Sequence, residues 1–224
     1  MKTEEKNAVG HSSALKTIKR ILLMRESTLV IMIALMFIIL PFFIPVFATP
    51  SNIISVLLSV ATKGILGIGV TIILISGAID LSVGAVVAVV CAVFGRAYLA
   101  TNNLALASLI ALISAIICGA INGLLVTKCR LTPFIATLAS MGIGRGLTFV
   151  LTKGTPIKLT TLPEGYKVLG VGTVGGIPYV LILFVILTIV AHIMMKKSKI
   201  LRQNVYVGSN ERATRFSGIK TQKV

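Results

Sequence analysis

Long uncharged apolar runs, broken by short polar stretches, fill this chain from Ser27 to Met195. Residues 27–47 carry no charge, and as a helix they measure about 31 Å, enough to cross the hydrocarbon core of a bilayer. Pro41, Pro45 and Pro50 cluster where that run should leave the membrane, and Pro50-Ser51-Asn52 has the character of a new helix start. From Gly64 to Gly95 the only charge is Asp80. That stretch is either one over-long broken helix or two short spans meeting at Asp80, and length alone does not choose.

Charge placement does. The chain has 22 Lys plus Arg against 6 Asp plus Glu, and the basic residues gather before residue 26 and after residue 195. Lysine and arginine prefer the cytoplasmic side, so basic segments at both ends require an even number of crossings. Splitting at Asp80 predicts spans near 27–47, 53–79, 81–99, 104–127, 132–151 and 177–195. Six crossings put Lys128 and Arg130 inside and the loop from Lys153 to Lys167 outside. That loop, with Pro156 and Pro163, is expected to be irregular with a short extended piece rather than a buried helix.

Composition agrees. With 56% apolar residues, no Trp and a mean hydropathy of +1.01, the chain has too little polar surface to cover a soluble core. The basic balance does not suggest nucleic acid, because no basic stripe interleaves with aromatics. A signal peptide would have a shorter apolar run than 27–47. The expected fold is all-α, a polytopic transmembrane bundle of about six spans, with a cytoplasmic N-terminal tail over 1–26, a membrane region over 27–195 and a cytoplasmic segment over 196–224.

Candidate chemistry is sparse. No HExxH, GxSxG, paired-cysteine or phosphate-binding GxxxxGK[ST] pattern occurs, so no catalytic residue, metal site or bound cofactor is expected, and any ATP would be hydrolysed by another chain. Cys91, Cys118, Cys129, His11 and His192 have no ligand spacing. Gly119 with Gly123 and Gly142 with Gly146 form GxxxG pairs, expected to mark close helix packing. Asp80, within Gly77-Ala78-Ile79-Asp80-Leu81-Ser82-Val83-Gly84, is either a cap of the following helix, helped by Ser82, or part of a substrate pathway. Asn122 is interhelical glue or faces a polar cavity, and Arg145 either snorkels toward the interface or pairs with Asp80.

The tail holds a second informative stretch, from Val207 to Ile219. Asn210 can cap a short helix, Glu211 suits its first turn, Arg215 its last, and Gly218 can end it. Ala213 and Phe216 then share a face suited to docking. A solvated tail on anionic lipid would explain the arginines but not the caps.

Taken with T-P-F-I-A-T-L-A-S-M at 132–141 and R-G-L at 145–147, the stretches at 77–84 and 207–219 make the chain, from about residue 20 onward, resemble the membrane subunits of ribose-type ABC importers. The resemblance implies that Gly208, Asn210, Glu211, Ala213, Arg215, Phe216 and Gly218 form the segment that couples to the ATPase. Thr214 stands where a second alanine is common. It further implies import of a monosaccharide across a bacterial inner membrane, cytoplasmic ATPase subunits that use ATP and Mg, a periplasmic sugar-binding protein, and a second permease copy or paralogue. Pentose, hexose, furanose and nucleoside are all compatible with it. Members of that family continue past the coupling segment with more spans, so a fragment or early-terminated product is expected here. A secondary transporter driven by an ion gradient is the alternative, although it would want more intramembrane carboxylates than Asp80.

Overall fold

The computed structural model describes residues 25–221. The basic tail read from the sequence, with Lys16, Lys19, Arg20 and His11, lies outside the described residues. The chain divides into two units, one ending at Val56 and the other beginning at Leu57.

In the first unit, α1 (Arg25–Phe43) has Pro41 in its last turn. A 3-10 turn over Pro45–Ala48 follows, and α2 (Pro50–Ile75) begins. Proline at the head of that turn brings a fixed φ and no N–H to satisfy. The Phe37 and Phe47 rings meet edge to face at 5.3 Å, and the Asn52 amide donates to the Phe47 carbonyl at 2.8 Å. The expected span 27–47 is thus a helix to Phe43 and then a turn. Its apolar part, Ser27–Phe43, sits at the lower limit of bilayer-crossing length.

In the second unit, α2 is followed by α3 (Val83–Thr101), α4 (Leu104–Thr127), α5 (Pro133–Thr152) and α7 (Tyr179–Lys197). Among the described helices, these five are long and apolar enough to cross a membrane. The stretch around Asp80 is two helices. Gly77, at φ +85°, takes the left-handed position that ends α2, with Gly77 N–H bonded to the Leu74 carbonyl and Ala78 N–H to that of Ile73. These two bonds satisfy carbonyls the helix end would otherwise leave free.

Helix α3 is the central element, packed against α4 and α5. Its buried face runs Ala85, Val89, Ala92, Gly95, Tyr98, at helical spacing of three and four. Opposite lie Ala107 and Ala111 of α4 and Ala136 of α5. Apart from Val89 and Tyr98 the buried positions are small residues, while most leucines and isoleucines face outward, as expected where lipid and not water surrounds the bundle.

The glycines of closest approach are not those the GxxxG spacing selects. A Cβ on Gly119, Gly123, Gly142 or Gly146 would meet nothing within 4 Å, so none of the four packs against another described helix. The tight contact falls on the opposite side of α5, at Gly144, where a Cβ would lie 3.1 Å from that of Ala85.

The loop between α5 and α7 is irregular from Lys153 to Pro163, as expected, and more ordered beyond. It contains an exposed helix, α6 (Glu164–Val171), following Pro163 and carrying a Lys167–Glu164 ion pair at 2.6 Å. Two-residue strands, β1 (Thr173–Val174) and β2 (Ile177–Pro178), pair antiparallel across Gly175-Gly176, both at positive φ as a tight hairpin turn requires. Upstream, the loop rests on α3, with Ile157 against Gly95 and the Tyr98 hydroxyl donating to the Thr161 carbonyl at 2.8 Å. After α7 the chain bends at Ser198 into α8 (Lys199–Ser209) and α9 (Glu211–Phe216).

Candidate functional site

The polar residues near Asp80 form one hydrogen-bonded relay across three elements. Asp80 Oδ1 receives the Ser82 N–H at 2.7 Å and the Ser82 hydroxyl at 2.6 Å. Ser82 is completely buried, and its Oγ accepts the Asn122 amide of α4 at 2.8 Å. Asn122 Oδ1 in turn accepts the Ser140 hydroxyl of α5 at 2.5 Å. A second strut comes from Thr137, also buried, whose Oγ1 accepts the Leu81 N–H at 3.2 Å and contacts the Pro133 and Ile79 carbonyls at 2.8 and 3.3 Å. The turn between α2 and α3 is therefore held by both neighbouring helices.

This geometry revises the capping role. The N-cap position of α3 is Ser82, whose side chain makes no cap bond, and Asp80 stands two residues earlier. Its carboxylate closes an Asx turn on Ser82 because a side chain this short reaches the N–H two residues on. Asn122 is buried with both ends of its amide engaged between helices. Arg145 lies exposed on α5, and among the described residues it makes no ion pair with Asp80.

In the tail, Asn210 Oδ1 accepts the Ala213 N–H at 3.0 Å, Glu211 occupies the first turn of α9, Arg215 the last, and Gly218 follows at φ +81°. Ala213 and Phe216 are exposed, Phe216 to 92%. Thr214, the residue that departs from the family pattern, is buried, and its hydroxyl sits 2.8 Å from both the Tyr206 and Asn210 carbonyls. It fastens α9 to α8.

Gly208 of α8 connects the two parts of the site. It lies on the turn at the end of α2, where a Cβ would collide with the Ile75 carbonyl oxygen and where Gly77 faces the Gly208 Cα. Only glycine allows this approach of backbone to backbone. A continuous run of contacts thus leads from α9 through Thr214 and Gly208 to the turn carrying Asp80, and on to α4 and α5.

Two cations escaped the sequence reading. Arg96 of α3 sends Nε to the Leu151 carbonyl at 2.5 Å, at the C-terminal end of α5 where carbonyls lack helical partners. Lys63 lies exposed midway along α2. Each is a lone cation in an apolar run, which is itself the signal that marks it.

Residues 52–224 match the family model described as branched-chain amino acid transport system / permease component. The chain is 37% identical over 180 residues to the ribose import permease of Bacillus subtilis, covering 80% of this chain and 56% of that protein. It is 34% identical over 184 residues to the ribose import permease of Escherichia coli K12, covering 80% and 57%. To the L-arabinose ABC transporter permease of Azospirillum brasilense it is 28% identical over 202 residues, covering 90% and 59%. The chain thus spans less than three fifths of each of these relatives. No solved structure matches it.

Proposed function

Because the chain belongs to the branched-chain amino acid transport system / permease component family, and is a multi-pass membrane protein, we propose that it acts as the permease subunit of an ATP-driven sugar importer. The observation that carries this reading is α9, a capped helix that offers Ala213 and Phe216 to solvent while Thr214 and Gly208 tie it to the membrane bundle. An isolated six-residue helix has no reason to persist in water. One capped by Asn210 and fastened to α8 through Thr214, with Ala213 and Phe216 outward, is suited to docking on another protein.

In this reading the solute is a monosaccharide, and a cytoplasmic ATPase binds ATP and Mg and receives α9 in a groove. A binding protein delivers sugar from outside, and a second permease copy or paralogue completes the path. Both flanking basic segments face the cytoplasm. Closure of the ATPases draws the tail helices together, and the Gly208 contact passes the displacement to the turn at Asp80 and thence to α4 and α5. The chain supplies geometry and coupling, and bond chemistry belongs to the ATPase.

The test is uptake of labelled ribose, arabinose and fructose into proteoliposomes holding the importer with its ATPase and binding protein. Uptake that requires internal ATP and ignores an imposed proton or sodium gradient supports the reading. Uptake driven by the gradient without ATP overturns it in favour of a secondary transporter.

A further inference from the structure

Helix α2 exposes the wrong residues for a helix that faces lipid. Between Leu57 and Ile75 its polar side chains are Ser59, Thr62, Lys63 and Thr71, and all four are exposed, together with Val60, Leu66 and Leu74. Ser59, Thr62 and Lys63 share one side of the helix. The covered side of the same stretch, including Leu58, Ala61, Ile65 and Ile68, is apolar or glycine throughout. Helix α4 has the opposite arrangement, with Asn122 buried, Ser114 half-buried, and Leu109, Leu112, Ile113 and Ile116 exposed through its middle. A bilayer wets the outside of α4. It cannot do the same for α2 without leaving hydroxyls and a cation in hydrocarbon.

Lys63 sharpens the argument by its depth. It lies 13 residues after Pro50 and 12 before Ile75, about 20 and 18 Å from the helix ends, beyond the reach of a snorkelling side chain. Among the described residues it has neither an ion pair nor a hydrogen bond. Around it the hydroxyls are partly committed, since Thr62 donates to the Leu58 carbonyl at 2.8 Å and Thr71 to that of Gly67 at 2.7 Å. Those oxygens present only acceptors outward, whereas the lysine ammonium presents three donors.

We infer that the face of α2 carrying Ser59, Thr62 and Lys63 lines the water-filled path taken by a neutral polyhydroxylated solute, with Lys63 as the hydrogen-bond donor at mid-membrane. A sugar hydroxyl both gives and accepts hydrogen bonds, and this face answers both halves of that need. The inference rests on the importer reading, and it adds a residue which that reading does not require.

The experiment uses the assembled importer in proteoliposomes, with Cys91, Cys118 and Cys129 replaced by Ala. Single cysteines are placed at 59, 62 and 63, and for comparison at 58, 61 and 65. A water-soluble, membrane-impermeant cationic methanethiosulfonate should label the first three at least tenfold faster than the others, and saturating ribose should slow labelling at 62 and 63. Lys63→Met should raise KM for uptake at least fivefold, and Lys63→Arg should restore part of it. Labelling at 59, 62 and 63 by a lipophilic maleimide alone would place the face in lipid and overturn the inference. So would resistance to both reagents with unchanged uptake in Lys63→Met, which would put the face against another subunit. Labelling reads the face whether or not sugar is transported, while ATP-dependent uptake by the cysteine-free parent tests the importer reading separately.

Discussion

The Ser82 hydroxyl receives the amide of Asn122 at 2.8 Å while giving its own proton to Asp80 at 2.6 Å, so a fully buried oxygen joins α4 to the turn between α2 and α3. Removing either partner leaves a buried polar atom unmatched, at a cost of about 1–3 kcal/mol. Asn122→Leu takes the donor from the Ser82 oxygen and the acceptor from the Ser140 hydroxyl. It should lower the unfolding temperature in detergent clearly more than Ser114→Ala, which removes a bond to the helix's own backbone. Equal shifts for the two would count against the relay as a stabilising device.

Asp80→Asn keeps an oxygen that can accept from Ser82, and Asp80→Leu does not. The expected outcome is near-normal yield and thermal stability for Asn, within about 1 kcal/mol, but weaker uptake because the charge is gone. For Leu, both yield and uptake should fall. Indistinguishable behaviour of wild type, Asn and Leu in yield and uptake would leave Asp80 without either role.

Substituting Gly208 tests the bridge from tail to bundle. A Cβ at this position has nowhere to go, because backbone atoms and not a flexible side chain stand against it. Gly208→Val should leave the protein in the membrane while reducing ATPase stimulation and sugar uptake together, by tenfold or more. Preserved coupling in Gly208→Val would show that α8 can lift away without consequence.

On the exposed side of the tail, Ala213→Glu should weaken docking of the ATPase, and cysteines at 213 or 216 should crosslink to it. Stability of the membrane bundle should not change, since neither position is buried. A complex that assembles and is stimulated normally with Ala213→Glu would favour a lipid-bound tail.

Reporter fusions at residues 26, 50, 100, 130, 160 and 203 should read in, out, out, in, out and in. A fusion at 100 that reads inside would contradict the crossing assigned to α3.

Most helix boundaries were legible because apolar runs, prolines and the Asp80 break each have a direct physical cause. Pro133 and Pro50 sit at the starts of their helices, where a missing N–H costs nothing. The caps of α9 were legible for the same reason, being local. Packing was not. Gly144, rather than Gly142 or Gly146, meets Ala85 because helix rotation depends on partners distant in sequence, and spacing within one helix cannot report it. Helix α6 is too short for periodicity to reveal, and α8, with Asn204 buried, takes its shape from what it rests on. Lys63 and Arg96 were visible as letters. Their meaning required knowing that one is exposed at mid-helix and the other reaches the end of α5.

The alanine seam of α3 has a mechanical corollary. Apart from Val89 and Tyr98 the buried face of α3 is Ala and Gly, whose shallow relief offers few large interdigitated side chains to resist a shift along α4 and α5. Apolar shape therefore does little to fix the register of these three helices. What fixes it is polar bonding at both ends, where Ser82, Asn122, Ser140 and Thr137 meet at one and Arg96 reaches the Leu151 carbonyl at the other. A bundle built in this way behaves as smooth rods pinned at two polar joints, and a push at the Ser82 joint is carried along α3 to the Arg96 joint at the opposite end.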